Sequence, residues 1–148
     1  MRTAELRVTY EPDNDGTGEL FAFARSGAFS GEGSAWVGRG MDTFIARLRS
    51  FPLSMADPPT IEGGSWGDQG SLNRCQLRII VKPYNSRGTL LVHVDIAAPV
   101  NNTRELDLQN SAHVRFFAEY AAVGTFADHL EQVLGGTRQE AILDGNLA

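Results

Sequence analysis

Three stretches of strict alternation constrain this chain most. Cys75, Leu77, Ile79 and Val81 alternate with Gln76, Arg78, Ile80 and Lys82. Leu90, Val92, Val94 and Ile96 alternate with Leu91, His93, Asp95 and Ala97, and Val114, Phe116, Ala118 and Tyr120 alternate with His113, Arg115, Phe117 and Glu119. A period of two sends successive side chains to opposite faces of a strand. Each stretch therefore has one apolar side and one mixed, mostly polar side, the signature of antiparallel strands covered on one face. Pro83 to Gly88 reads as the turn between the first two.

Other strands follow the same logic. Leu6, Val8 and Tyr10 alternate with Glu5, Arg7 and Thr9, and Glu11 to Gly18 is a polar turn. Leu20 to Phe29 reads as a second strand and Ser34 to Val37 as a third, with Gly27, Gly31 and Gly33 suggesting a bent or bulged hairpin. Ile61 to Trp66 is a short strand leading into a loop at Gly67–Ser71, and a polar loop runs from Pro99 to about Asn110.

Only two segments have helical spacing. Met41, Phe44, Ile45, Leu48 and Phe51 form one apolar face, with Asp42 as cap and Pro52 as stop. Val123, Phe126, Ala127, Leu130, Val133 and Leu134 form another, closed by Gly135-Gly136. Thr137 to Glu140 matches a capping box, which predicts a further helical turn over Gln139–Leu143. Thr43-Phe44-x-x-x-Leu48 recurs as Thr125-Phe126-x-x-x-Leu130, which suggests two strand-rich halves. The expected fold is one α+β domain over residues 1–148. An antiparallel sheet of about six or seven strands carries two helices on one face, with an internal two-fold repeat and a linker at 52–60. Residues 1–3 and 144–148 are expected to fray.

Composition narrows the function classes. Hydrophobic residues make up 42% and charged residues 21%, ordinary for a globular domain. The net charge is −5 and Lys82 is the only lysine. That balance argues against a nucleic-acid footprint. No run approaches the roughly 18 apolar residues of a membrane span, and the first seven residues carry no leader-like apolar run, so a cytoplasmic site is expected. Cys75 is the only cysteine, which rules out an intramolecular disulfide and a zinc site built on paired cysteines. It falls on the apolar side of its strand and is expected to be a buried, inert small hydrophobe.

Motifs for chemistry are weak. Gly63-Gly64-Ser65-Trp66-Gly67 matches the G-x-S-x-G elbow, with Asp95 and His113 following in the order of a hydrolase triad, but a glycine-rich loop, not a helix, comes next. Gly38-Arg39-Gly40 lacks the third glycine of a dinucleotide fingerprint, where Thr43 stands. Trp36 and Trp66 read as core or rim anchors, and His129 as a solvated residue on the outer side of the second helix. The polar side of the alternating strands is the best candidate site. It gathers Arg78, Lys82, His93, Asp95, Arg115, Phe117 and Glu119. Arginine beside an aromatic is the composition of a protein-binding patch. The alternative is a small metal-dependent or acid–base enzyme using His93, Asp95 and His113. A third reading is a homodimer closed over Ile80, Leu91 and Phe117.

One resemblance adds to this. Ser34-Ala35-Trp36-Val37, Phe44-Ile45-Ala46-Arg47-Leu48, Ile61-Glu62-Gly63-Gly64-Ser65-Trp66, Leu77 to Val81, Gly88 to Val94 and the Phe126–Leu134 helix together resemble small bacterial domains of the WapI-type immunity group. The likeness spans roughly residues 18–134 and lies in pattern. It implies an immunity or antitoxin protein that binds and blocks a protein partner, with no cofactor and no catalytic residues to carry over. The arginine-rich, lysine-poor surface and the Pro99 loop depart from that pattern.

Overall fold

The computed structural model describes residues 3–66, 72–99 and 106–148. In chain order it has β1 (Ala4–Pro12), β2 (Gly18–Ser26), β3 (Phe29–Trp36), α1 (Met41–Leu48), β4 (Thr60–Trp66), β5 (Leu72–Pro83), β6 (Thr89–Ala97), a 3-10 turn (Leu106–Leu108), β7 (Ser111–Glu119), α2 (Tyr120–Leu134) and β8 (Ala141–Leu147). The strands form one sheet of eight in the order β3-β2-β1-β8-β7-β6-β5-β4. All pairings are antiparallel. The α+β class and the antiparallel sheet agree with the alternation. The strand count of six or seven was low by the eighth strand.

That strand is β8. The expected helical turn over Gln139–Leu143 and the fraying of 144–148 are both overturned by it. Ala141, Leu143 and Gly145 turn inward and are buried, while Asp144 and Asn146 face out. Residues Ala4–Val8 of β1 pair with it on one side, and Phe116 and Phe117 of β7 on the other. A local capping-box signal is worth little against two ladders of backbone hydrogen bonds in the middle of a sheet. Thr3 is likewise tied down: its carbonyl accepts from Gly27 N–H at 3.1 Å and its hydroxyl from Leu147 N–H at 2.9 Å.

The helices end for local reasons. Gly40, not Asp42, is the N-cap of α1, and Asp42 instead places its charge in the first turn, where the helix dipole favours it. The helix closes at Leu48, so Phe51 does not join its buried face. Phe51 is 80% exposed and meets Tyr120 edge-on at 4.9 Å. At the end of α2, Gly136 takes φ +79°. Its N–H donates to Val133 O at 3.2 Å, and Thr137 N–H donates to Gln132 O at 3.0 Å, the paired bonds of a left-handed glycine stop. Arg49 joins the helices, donating to Asp128 at 2.8 Å and also to Glu131. Among the described residues no helix is long and apolar enough to cross a membrane.

The core lies inside the curve of the sheet. Leu6, Leu77, Ile79, Leu90, Val92, Val94, Phe116 and Leu143 meet Phe44, Leu48, Phe126 and Leu130 of the helices there. The glycines of β3 make the curve close. Its pairing with β2 runs without a register shift, so Gly31 and Gly33 are not a bulge. A Cβ on Gly31 would lie 2.7 Å from the Ala112 Cβ on β7, and one on Gly33 would lie 2.6 Å from Ile96 Cγ2 on β6. A Cβ on Gly63 of β4 would lie 2.3 Å from the Trp36 backbone oxygen. Thus β3 crosses the inner side of β7 and then β6, and meets β4 at its Trp36 end. Glycine here permits backbone-close packing between two parts of one sheet.

Candidate functional site

The outer side of β5, β6 and β7 carries the residues read as a candidate site. Pairing sets them in cross-strand rows. Arg78 lies opposite Asp95 and Asp95 opposite His113, while Ile80, His93 and Arg115 form the next row. Lys82, Leu91 and Phe117 form a third, and Glu119 pairs with Thr89 at the border. Because the inner neighbours are fully apolar, a one-residue slip would bury these charges, so the core holds the rows in register.

Asp95 is the hub. Its Oδ1 accepts from Arg115 Nη1 at 2.7 Å and lies 2.8 Å from His113 Nδ1. Burial alone would raise the Asp95 carboxyl, but the hydrogen bonds from His113 and Arg115 outweigh it and hold the group below its ordinary range. Arg78 turns the other way and donates from Nε to Glu62 Oε2 on β4 at 2.7 Å. Phe117 stacks at a tilt on Tyr84, with ring centroids 4.6 Å apart. Glu62 and Tyr84 were missed in the sequence. Glu62 lies on the short strand β4, and Tyr84 sits just past the β5 alternation, so neither carried a face assignment.

His93 does not join Asp95 and His113. It sits beside Arg115 and Ile80, with Nε2 buried and without a hydrogen-bond partner. Burial first, then the charges of Arg115 and Lys82, push its pKa down, against the smaller pull of Asp95. An unfolded histidine titrates near 6.5. The unfolded chain therefore binds a proton here before the folded one does, and folding stability falls as pH drops below about 6.5 towards the lower folded value. We expect His93→Gln to flatten the fall in stability between about pH 7 and pH 5, measured by urea unfolding at a series of pH values. Identical slopes in both proteins would refute the assignment. Asp95 acts in the same direction but lower, its contribution being lost as pH falls below about 3.9.

Among the described residues no group of three or more His, Cys, Asp and Glu is placed to hold a metal ion. The three residues of the enzymatic alternative thus reduce to one hydrogen-bonded pair, Asp95 with His113. Other expectations shift too. Cys75 is half-buried rather than buried. Its Sγ lies 3.4 Å from Leu77 O, and burial raises its thiol, which makes it a poor nucleophile. His129 is half-buried, with Nδ1 enclosed and without a hydrogen-bond partner, not solvated. Trp36 is 40% exposed at the rim. The Trp66 side chain, the loop Gly67–Ser71 and the middle of the Pro99 loop lie outside the described residues.

No family model matches the chain, and no curated protein or solved structure matches it significantly.

Proposed function

We propose that this is a non-enzymatic binding protein, immunity- or antitoxin-like, that covers a protein partner with the outer side of β5–β7. The observation that carries this reading is the half-exposed Phe117–Tyr84 pair standing beside charges already held in place by one another. A few residues carry most of the energy of a protein interface, and they are enriched in Trp, Tyr and Arg. Charges fixed before contact lose less freedom on binding, and here Asp95 and Glu62 fix Arg115 and Arg78. Leu91 and Ile80 give the centre of the face some apolar area between these pairs.

The test compares wild-type protein, F117A and R115E as immobilised baits, followed by calorimetry with whatever protein the wild type retains. Loss of Phe117 or reversal of Arg115 is expected to weaken binding by about 30-fold or more, the scale of an interface hot spot. Equal binding by all three baits overturns the reading. So does an enzymatic turnover that H113A abolishes, which would restore the acid–base alternative.

A further inference from the structure

The sheet has two edges, and they are finished differently. The β4 edge is broken by two register shifts, between Gly63 and Gly64 and between Ser65 and Trp66. Such irregularities blunt an edge against added strands. The β3 edge has no such break: all eight residues pair with β2 in unbroken register, and among the described residues no strand pairs with its other side. It also carries no lysine and no proline. A regular edge of this kind is a template for one more strand.

That edge does not face open solvent. Beside it, Gly64 of β4, Gln76 of β5 and the segments that end β6 and begin β7 line the same recess. The space between is a cleft of about 640 Å³, bounded on the far side by Ala97–Pro99 and Asn110–Ala112. Ala98, in the middle of this wall, is already hydrogen-bonded at both its backbone groups. Ala98 N–H donates to Asn110 O at 2.8 Å, and Gln109 Nε2 donates to Ala98 O at 2.7 Å. The backbone groups left to recruit a chain are therefore those of β3 from Ser30 to Ser34.

The charge of the cleft selects the chain. Glu19 and Glu32 line it, and no Lys, Arg or His does among the described residues. Ser34 donates from Oγ to Glu19 Oε2 at 3.1 Å, which fixes that carboxylate beside β3.

We propose that the β3 edge binds an extended peptide by strand addition, and that the peptide carries basic residues, preferably arginine, on the side that meets Glu19 and Glu32. The site is separate from the outer side of β5–β7 and stands whether or not that face binds a protein.

The experiment uses the whole chain labelled with ¹⁵N and three acetylated octapeptides. One alternates threonine with arginine, one replaces each arginine by glutamate, and one carries a central proline in the arginine version. The arginine peptide is expected to bind and to shift the amides of Ser30–Ser34. The glutamate and proline peptides are expected to bind at least about tenfold more weakly, the first for want of charge pairing and the second for want of backbone donors. Glu32→Lys, an exposed change that leaves the core untouched, is expected to invert the preference between the first two peptides. The proposal is overturned if no peptide binds or if charge does not discriminate. It also fails if the shifts fall on the outer side of β5–β7, or if β3 amides move only as the protein itself dimerises.

Discussion

Phe126→Ala is expected to remove about 3–5 kcal/mol of folding stability, the usual cost of deleting a buried phenylalanine. The ring is fully buried in the middle of α2, where the helix closes over the core. A cavity there cannot be filled by collapse, because one side is a fixed sheet and the other a helix tied to α1 through Arg49. Against a typical total of about 5–15 kcal/mol this is a large share. Urea unfolding should show a lower midpoint at an unchanged slope. Thr125→Ala, one position away but exposed, should stay within about 0.5 kcal/mol. A loss below about 1 kcal/mol for the phenylalanine would mean that α2 does not seal the core as described.

A single methyl group is expected to be costly at Gly145. A Cβ there would stand 2.3 Å from the Phe117 backbone oxygen and 2.4 Å from Phe116 Cδ2. The oxygen belongs to a strand and the ring is fully buried, so neither can step aside. The strands must part instead, at a joint where β7 and β8 share only the pairs Phe116–Leu147 and Phe117–Asn146. Gly145→Ala should cost about 1–3 kcal/mol or more. The same change at Gly124, inside α2 with nothing within 4 Å of the added carbon, should stabilise by about 0.5–1 kcal/mol. Opposite signs for one chemical change isolate the close approach. Two changes of the same sign would refute it.

Much of the candidate face was legible in the residues. Alternation alone places His93, Asp95, Arg115 and Phe117 on one side, because each apolar neighbour must turn to the core. Alternation cannot say which residue stands opposite which. That depends on turn length and pairing, and it decides that Asp95 meets His113 and Arg115 while His93 stands apart. The rest was hidden because it depends on contacts distant in sequence. β8 has a short apolar run interrupted by Asp144 and Gly145, too brief to declare a strand until β1 and β7 are beside it. Gly63 was visible as a glycine in a strand, and Gly31 and Gly33 as glycines of a bent or bulged hairpin, yet a bulge and a close approach leave the same mark. The recurring Phe and Leu anchors marked true core positions, since Phe44, Leu48, Phe126 and Leu130 are all buried.

The position of β8 also governs the order in which the molecule can be assembled. Until residues 141–147 leave the ribosome, β1 and β7 are both unfinished edges, and the sheet exists only as two separate meanders. Closing it brings Leu147 to Thr3 across 144 positions, the kind of distant contact that slows folding. A nascent chain stalled before residue 141 would hold two sticky rims at once. Such a chain would be prone to aggregate until β8 fills the gap between them.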